Sequence, residues 1–342
     1  MTENPTIVFL GAGAVGASIG AWIAPHHENT YFLDIGEVAN AIEANGITHY
    51  LGGNEASRKT ETVKVIRDLD EIDPPDIIAV AVKNYSLDAV CSMIRDKVGD
   101  TPVIIGLQNG VENQAILPRY FSKVIYGVVC YNAWLDSPGV VGYQTQGPLV
   151  LGTARNECQF EMDTVQEIFR QGLDTFVSHH IQDASHTKMI VNLTNSLTTL
   201  IGHTTKEISD PGLFQKLLSN LTYEGVKIVK AAGYKECKLG GMPSWGLMRA
   251  AATLPRFVTR KAFEKNVKKM VISSMAQDIL QKGGTDSELE TLNGYFISLA
   301  EKHGVKAPYN RTVYDICRKE FAKPGFIPWD VTDVWEKVEA AL

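Results

Sequence analysis

The hydrophobic positions along the chain change character about halfway through it. Up to about residue 180, short β-branched runs alternate with helical stretches, and runs of this kind predict buried strands. The predicted strands are Thr6–Leu10, Thr30–Leu33, Ile77–Val82, Val103–Leu107 and Val124–Val129. Because strands separated by helical segments form βαβ units, this half predicts an α/β domain with a parallel sheet.

The second half has few strand signals. After Asp183 the apolar residues recur with helical spacing over long stretches, which predicts an all-α domain. The predicted helices are Lys188–Ile201, Gly212–Ala232, Ala262–Gln281 and Ser287–His303. Within the first half, the alternating and glycine-rich segment Gly139–Gly152 predicts an antiparallel hairpin that closes the edge of the sheet. A chain of 342 residues usually divides into domains, and we place the boundary between residues 1–182 and residues 183–342.

A glycine-rich turn follows the first predicted strand. The sequence Gly11-Ala-Gly13-Ala14-Val15-Gly16 has the G-x-G-x-x-G spacing and opens a small, apolar helix. In this pattern the first glycine permits the tight turn, the second lets the backbone approach a pyrophosphate, and the third allows the helix to pack closely on the sheet. These residues are therefore predicted to bind a dinucleotide at the helix N-terminus. A close-packed turn without a ligand is the structural alternative.

Asp34 ends the next predicted strand, about 20 residues further along the chain. A carboxylate in this place accepts hydrogen bonds from the adenosine ribose hydroxyls and repels a 2′-phosphate. The sequence therefore favours NAD as the cofactor and leaves NADP as the alternative. FAD uses a similar turn, but nothing later in the chain indicates a flavin domain. Without a ribose to bind, Asp34 would be a solvated strand end.

Polar residues also follow two other predicted strands. Lys83 comes after Ile77–Val82, and Asn109 comes after Val103–Leu107 in the sequence Q-N-G. Ligands of open α/β sheets bind beyond the carboxyl ends of the strands, so both side chains are candidates for the cofactor site. The Asn-Gly pair is equally typical of a turn that binds no ligand.

The first predicted helix of the second half carries a narrow polar stripe. At about 100° per residue, Lys188, Asn192, Asn195 and Thr199 fall on one side, and apolar residues cover most of the remainder. A helix that is apolar on nearly all sides is buried, so the stripe is predicted to face a ligand or a wet cleft, with bulk solvent as the alternative. A lysine in such a cleft can donate a proton to a developing alkoxide.

Two later polar residues complete the candidate site. Glu288 can orient the lysine, although T-x-x-E starting at Thr285 is also the signature of a capping box. Ser274, in S-S-M-A-Q-D, is either a ligand-binding residue or a surface helix residue.

Composition narrows the class of protein. The formal charge of −6 and the pI near 5.8 argue against a nucleic-acid partner, which would demand a basic excess. Lys and Arg gather between Lys227 and Lys269, either as a solvated helix face or as a field that attracts a small carboxylate or an acidic subunit. The 5 scattered cysteines predict a reducing, cytoplasmic location without a metal site. No apolar stretch is long enough to predict a membrane span.

Taken in order along the chain, these motifs resemble the ketopantoate reductase family. The resemblance rests on the glycine turn, V-K-N, Q-N-G-V-E-N, K-x-x-x-N, S-S-M-x-Q-D, E-x-x-x-x-N-G and A-E-K-H-G-V-x-A-P-x-N, which together span Gly11 to Asn310. It implies a Rossmann domain followed by an all-α domain like the helical domain of 6-phosphogluconate dehydrogenase, with the active site between them. It also implies NAD(P)H-dependent reduction of 2-dehydropantoate to pantoate, in pantothenate and coenzyme A biosynthesis.

The resemblance further implies roles for individual residues. Lys188 takes the role of general acid toward the C2 carbonyl oxygen, and Glu288 that of the carboxylate holding the substrate hydroxyl and the lysine in register. Asn109 is implied to lie near the nicotinamide, and Lys83 close to the cofactor. The implied substrate-contacting residues are Asn192, Asn195 and Ser274, the last toward the substrate carboxylate.

The chain departs from the family pattern in three places. Members often have a second asparagine four residues after Asn192, where this chain has Ser196, and helical phase lets Asn195 substitute for it. Asp34 replaces the basic residue typical of members that prefer NADP. The stretch Gly240–Lys261 has no clear counterpart. These departures bear on the identity of the substrate more than on the type of reaction.

Two other functions are compatible with the same motifs. One is a paralogous 2-keto-acid, 2-hydroxy-acid or opine-type dehydrogenase on the same scaffold. The other is a redox sensor that uses NADH as a ligand, because fold does not determine function. The helical half is also a candidate homodimer interface, although apolar helix patterns do not separate an interface from a core.

Overall fold

The computed structural model describes residues 4–268, 270–285 and 287–342. Lys269, which belongs to the basic segment noted in the sequence, lies outside the described residues. Contacts between residues divide the chain into two compact units, Met1–Ala184 and Ser185–Leu342. The first unit therefore ends at Ala184, two residues after the boundary that the sequence predicted at Gln182.

The first unit combines strands with short helices. Its strands are β1 (Ile7–Leu10), β2 (Thr30–Leu33), β3 (Ile47–Leu51), β4 (Lys59–Glu61), β5 (Lys64–Ile66), β6 (Ile77–Val80), β7 (Val103–Gly106), β8 (Val124–Val129), β9 (Ala133–Ser137), β10 (Val140–Tyr143), β11 (Leu149–Gly152) and β12 (Thr175–Val177). Its α-helices are α1 (Ala14–Ile23), α2 (Gly36–Asn45), α3 (Asn84–Val98), α4 (Asn113–Ile116) and α5 (Gln159–Arg170), and its 3-10 turns are Glu55–Ser57, Leu69–Glu71 and Leu117–Arg119.

Eight strands form one sheet in the order β12-β11-β8-β7-β6-β1-β2-β5. All neighbouring pairs are parallel except β8 and β11, which are antiparallel. All five predicted strands are present, and the expected α/β architecture is confirmed. The chain builds outward from β1 first through β2 and then, on the other side, through β6. The carboxyl ends of β1 and β6 therefore flank the kind of crevice where open sheets bind ligands.

The core of this unit explains why α1 is made of small residues. Phe9 of β1 is buried and stacks on Phe32 of β2, with 5.6 Å between the ring centroids. A Cβ at Gly20 would lie 2.3 Å from the Phe32 ring. A larger residue there would push α1 away from the sheet, which would also displace the glycine turn.

The predicted hairpin over Gly139–Gly152 is wrong. β10 pairs antiparallel with β9 in a second sheet, of order β4-β3-β10-β9, whereas β11 joins the large sheet between β8 and β12. The segment thus crosses from one sheet to the other instead of turning back on itself. Alternation shows which face of a strand is buried, but it does not show which strand is its partner.

The second unit is helical. Its helices are α6 (Ile181–Asn192), which begins before the division, α7 (Thr194–Leu200), α8 (Pro211–Ala231), α9 (Trp245–Thr253), α10 (Arg256–Val267), α11 (Ser274–Ala276), α12 (Tyr295–Lys302), α13 (Pro308–Phe321) and α14 (Val331–Glu339), and Gln277–Gln281 and Glu290–Gly294 are π-helical. No strand follows β12 in the part of the chain that the structure describes. Across the same residues, none of the helices is long and apolar enough to cross a membrane.

Three predicted helices are interrupted in the structure. The helix predicted over Lys188–Ile201 begins earlier, at Ile181, and breaks at Leu193. The one predicted over Ala262–Gln281 is divided between α10 and α11, and the one over Ser287–His303 starts as a π-helical turn. Periodicity identifies the buried face of a helix, but it does not show where the helix breaks. By contrast, α8 matches its prediction closely, because the Asp210 side chain caps its first turn.

Candidate functional site

The glycine turn after β1 has the geometry of a phosphate-binding turn. Gly11 has φ +95°, a left-handed conformation that glycine adopts without strain. A Cβ at Gly16 would lie 2.0 Å from the Gly11 carbonyl oxygen, so α1 can approach the turn only with glycine there. A Cβ at Gly13, however, would meet no protein atom within 4 Å. The protein itself does not require glycine at position 13, whereas a phosphate lying on the turn would.

The N-terminus of α1 adds the electrostatic part of this site. Its first residues are Ala14, Val15 and Gly16, whose N–H groups have no acceptor within the helix. The N-cap residue, Gly13, has no side chain that could cap these groups, and no acidic residue stands in the first turn. The helix dipole favours an anion at this end. The turn and the helix together fit the pyrophosphate of a dinucleotide.

Asp34 is fixed beside the glycine turn. Its Oδ2 accepts a hydrogen bond from the Ala12 N–H at 2.7 Å, and its Oδ1 accepts one from the Ile35 N–H at 2.8 Å. The side chain is half-buried. Because each carboxylate oxygen has a second lone pair, both can still accept from ribose hydroxyls. The structure thus brings together the two motifs that the sequence assigned to the dinucleotide.

Lys83 and Asn109 lie on two loops that a buried asparagine connects. Lys83 is the residue before α3, and Asn84, the first residue of that helix, is only 4% exposed. The Asn84 Nδ2 donates to the Asn109 carbonyl oxygen at 2.9 Å. Gly110 has φ +89°, so the Asn-Gly pair forms a turn that glycine favours. The carboxyl ends of β6 and β7 are therefore held together at the candidate cofactor residues.

Gln108 and Asn113 extend this network, and the sequence analysis gave neither a role. The Gln108 Nε2 donates to the carbonyl oxygens of Val80 and Val82 at 2.8 and 3.2 Å, and its Oε1 accepts from the Asn113 Nδ2 at 3.2 Å. Among the described residues, the buried Oδ1 atoms of Asn84 and Asn113 have no hydrogen-bond partner. Buried acceptors are costly unless a ligand or water satisfies them. The amides in V-K-N and Q-N-G-V-E-N were the available signal.

In the second unit, α6 and α7 expose one narrow line of side chains. From Ala184 to Ile201 every described residue is buried except Lys188, Val191, Asn192 and Asn195, which are half-buried. The three polar members of this line belong to the stripe seen in the sequence. Thr199, the fourth member of that stripe, does not belong to the line, because it is 0% exposed and its hydroxyl lies 3.4 Å from the Ser273 Oγ.

The helix that carries Lys188 is anchored two residues earlier. His186 is fully buried, its Nε2 lies 2.8 Å from the Tyr295 hydroxyl, and its ring stacks on Tyr234 with 3.6 Å between centroids. Burial, together with the neighbouring Tyr234, raises the pKa of Tyr295 far above its usual range, so this phenol stays neutral. The sequence analysis missed His186, since Tyr295 is 109 positions away and no local pattern connects them.

Ser274 and Glu288 lie at the starts of two irregular helical turns. Ser274 is the half-buried first residue of α11, and the hydroxyl contact between Thr199 and Ser273 holds α11 against α7. Glu288 is 5% exposed and precedes the π-helical turn Glu290–Gly294. Helical residues start only after Glu288, so Glu288 does not stand at the third position of a helix, as a capping box with Thr285 would require. π-Helical turns are frequent at functional sites, and one follows each of these residues.

Within the basic segment of the second unit, α10 lies at the surface. No residue of α10 is buried, and Phe257 is 83% exposed. Its Arg260 pairs with Glu264 in the next turn of the same helix, at 2.9 Å. This exposure fits the solvated helix face that the sequence offered as one alternative.

A parallel sheet with a glycine turn, followed by a helical unit, defines a dinucleotide-binding protein of the α/β class. Comparison with known families identifies it further. Residues 7–156 match ketopantoate reductase PanE/ApbA, and residues 180–320 match the C-terminal region of the same family. The chain belongs to the ketopantoate reductase family, as the resemblance in the sequence implied.

Individual relatives agree with this assignment. The 2-dehydropantoate 2-reductase of Pyrococcus horikoshii is 29% identical over 329 residues, covering 93% of this chain and 98% of the relative. The solved 2-dehydropantoate 2-reductase from Geobacter metallireducens has a TM-score of 0.75 at 21% identity and covers 92% of this chain and 99% of its own. D-Mandelate dehydrogenase, solved with NADH and anilino(oxo)acetate, has a TM-score of 0.74 at 18% identity, covering 98% and 99%. These two structures show the same fold. The chain is an oxidoreductase of an NAD(P)H-dependent family that acts on CH–OH groups.

Proposed function

We propose that this protein reduces 2-dehydropantoate to pantoate, with NADH as the preferred reductant. The observation that carries the proposal is the accessible line of Lys188, Asn192 and Asn195 on helices that are otherwise buried. A buried helix pair has no structural need for a lysine and two amides on one line. A 2-keto acid, however, needs a proton donor for its carbonyl and hydrogen-bonding groups for its carboxylate and hydroxyl. The names of the relatives supply the particular keto acid.

The first unit, residues 1–182 in this proposal, binds the cofactor. Gly11–Gly16 hold the pyrophosphate on the N-terminus of α1, and the Asp34 carboxylate accepts hydrogen bonds from the ribose hydroxyls. Lys83 and Asn109 lie near the nicotinamide end, on the loops that Asn84 connects. When bound, the reduced nicotinamide supplies the hydride. The carboxylate of Asp34 favours NADH because it repels the 2′-phosphate of NADPH.

The second unit, residues 183–342, binds and protonates the substrate. Lys188 donates a proton from Nζ to the oxygen at C2 as negative charge develops there. Glu288 accepts a hydrogen bond from the substrate hydroxyl and keeps the lysine in register. The remaining substrate contacts in this proposal come from Asn192, Asn195 and Ser274.

The test is the initial rate of NADH oxidation at 340 nm with ketopantoate, repeated with NADPH. Fast turnover with NADH supports both the substrate and the role of Asp34. A strong preference for NADPH would contradict the role of Asp34 while keeping the reaction. Measurable NADH binding without turnover of ketopantoate would contradict the substrate.

The role of Lys188 is tested with a matched pair of variants. Lys188→Ala should lower kcat by about 100-fold or more, because a positioned general acid contributes about 10² to 10⁴. Lys302→Ala removes the same charge from an exposed position on α12 and should leave kcat unchanged. Affinity for NADH, measured by fluorescence titration, should be the same in both. Equal kcat values in the two variants would exclude Lys188 as the acid.

A second candidate function is the reduction of another 2-keto acid. The position where relatives often have a second asparagine is Ser196 here, and it is 0% exposed. The substrate-facing amide is instead Asn195, one position earlier, which changes the groups offered to the substrate. Comparing kcat/KM over ketopantoate and aromatic and branched 2-keto acids separates the two candidates.

A further inference from the structure

A side chain from a distant part of the second unit is hydrogen-bonded at the break between α6 and α7. The Leu193 carbonyl oxygen accepts hydrogen bonds from the Ser196 hydroxyl at 2.9 Å and from the Asn293 Nδ2 at 3.4 Å. Asn293 also donates to the Ser196 Oγ at 2.9 Å. The two side chains are 0% and 1% exposed, so this three-membered hydrogen-bond cluster is shielded from water.

The cluster joins the two segments that carry the groups needed by the proposed reaction. Lys188 is five residues before Leu193 in the chain, and Glu288 is five residues before Asn293. Asn293 belongs to the π-helical turn Glu290–Gly294, which begins two residues after Glu288. The amide therefore ties the turn after the carboxylate to the end of the helix that carries the lysine. These are rigid connections, because a buried hydrogen bond is costly to break.

Burial alone does not distinguish this amide from a structural one. Asn310 is also 1% exposed, and its Nδ2 donates to the Leu221 carbonyl oxygen and to Glu224 at 3.0 Å each. It joins α13 to α8, however, and neither helix carries a candidate site residue. Asn310 is thus a matched control for a purely structural asparagine. It has the same residue type and burial as Asn293 and lies in the same unit.

We infer that Asn293 is a positioning residue for the reaction: through Ser196 and the Leu193 carbonyl, it sets the placement of Glu288 relative to Lys188. The inference rests on the proposed function. It also gives Ser196 a role in this chain, since its hydroxyl accepts from Asn293 and donates to Leu193. Asn293 itself does not touch the substrate. Its loss should therefore change proton transfer and leave cofactor binding unchanged.

The experiment compares Asn293→Ala, Ser196→Ala, their double variant and Asn310→Ala, with Lys188→Ala as reference. We expect Asn293→Ala to lower kcat about 10- to 100-fold, since small misplacements of reacting groups cost this much. Ser196→Ala should lower kcat by less. The double variant should resemble Asn293→Ala alone, because both side chains act through one cluster. NADH affinity should stay within about twofold, and the solvent isotope effect on kcat should rise.

Asn310→Ala should lower the melting temperature at least as much as Asn293→Ala, while the kcat of the folded fraction and its isotope effect stay at wild-type values. If Asn293→Ala and Asn310→Ala change kcat equally, or if the Asn293 and Ser196 effects are additive, the inference is wrong. Should Asn293→Ala not fold, Ser196→Ala decides, since it retains the amide, and an unchanged kcat and isotope effect would overturn the inference. A fully active Lys188→Ala variant would overturn the proposed function and the inference together. If the Lys188→Ala variant is inactive, the comparison of Asn293→Ala with Asn310→Ala decides the inference alone.

Discussion

The two units of this protein hold their candidate site residues in different ways. In Met1–Ala184 the glycine turn and Asp34 are near one another in sequence, and the hydrogen bond from Ala12 to Asp34 spans 22 positions, although Lys83 and Asn109 come later in the chain. In Ser185–Leu342 the contacts that position the site span about a hundred positions, 109 from His186 to Tyr295 and 97 from Ser196 to Asn293. A local motif therefore suffices to recognise the first site, whereas the second depends on how its helices pack.

The largest effect is expected where the local motif is tightest. Gly16→Ala would place a Cβ 2.0 Å from the Gly11 carbonyl oxygen, so α1 must move away from the turn. We expect a loss of about 3 kcal/mol or more in the free energy of unfolding, because backbone shifts relieve such overlaps poorly. Urea unfolding measures it.

Gly13→Ala is the control for this variant, because its Cβ meets no protein atom. Stability should be nearly unchanged, while NADH affinity falls by about tenfold or more as the methyl group takes the place of the phosphate. Unchanged affinity would show that the pyrophosphate does not lie on this turn.

In the helical unit, a similar loss should follow from removing one long-range contact. Glu224 is 2% exposed and accepts hydrogen bonds from the N–H groups of Tyr309 and Asn310 at 3.2 and 2.9 Å. Glu224→Ala leaves these donors buried without an acceptor, and we expect a loss of about 3 kcal/mol in unfolding free energy. If Glu224→Ala lowers the unfolding free energy less than an alanine substitution at an exposed helix position does, long-range contacts are not important for the stability of this unit.

The same carboxyl predicts a pH dependence. Burial raises the pKa of Glu224 above its ordinary value of 4.5. The folded protein then binds this proton more tightly than the unfolded chain, so the contribution to stability falls as pH rises from 4.5 through the raised native pKa. Glu224→Gln should remove this part of the slope in a series of urea titrations. An identical slope in the variant would assign the dependence to another group.

A smaller effect is expected at Asp34, which links the glycine turn to the second strand. Asp34→Ala should weaken NADH binding about tenfold, or roughly 1.4 kcal/mol, while NADPH binding stays equal or improves. Fluorescence titration with both cofactors measures the change in preference. An equal loss for the two would mean that Asp34 acts only by holding the turn through the Ala12 N–H.

The smallest effect is expected at a helix cap in the second unit. Asp330 caps α14 by accepting from the Thr332 N–H at 2.9 Å and from the Ser209 hydroxyl at 2.7 Å, and these bonds lower its pKa to about 2. Asp330→Ala should cost about 1 kcal/mol at neutral pH. Because the native pKa is lowered, this contribution is present above 3.8 and is lost as pH falls toward 2. Asp330→Asn keeps the acceptor and should lose less.

Much of the candidate site follows from the sequence because its signals are local. The glycine spacing places the turn, and helical phase places Lys188, Asn192 and Asn195 on one line. The burial pattern of α6 and α7 agrees with that line. The chemical roles of these residues stay predictions. Other features depend on partners that the sequence does not indicate: Asn84 and Gln108 connect loops through backbone carbonyl groups, and Thr199 is buried although it has the phase of the stripe.

By itself, the sequence determined the two-part architecture and the five central strands, because residue periodicity and the backbone needs of glycine act over a few positions. The family was indicated separately, by the order of motifs from Gly11 to Asn310. Only the tertiary structure decided that Gly139–Gly152 divides between two sheets and that the helix carrying Lys188 breaks at Leu193. Both outcomes depend on partners that approach from far along the chain. A strand's face is a property of its own residues, but its neighbour is not, and the Leu193 carbonyl group at the helix break accepts a hydrogen bond from Asn293, 100 positions away.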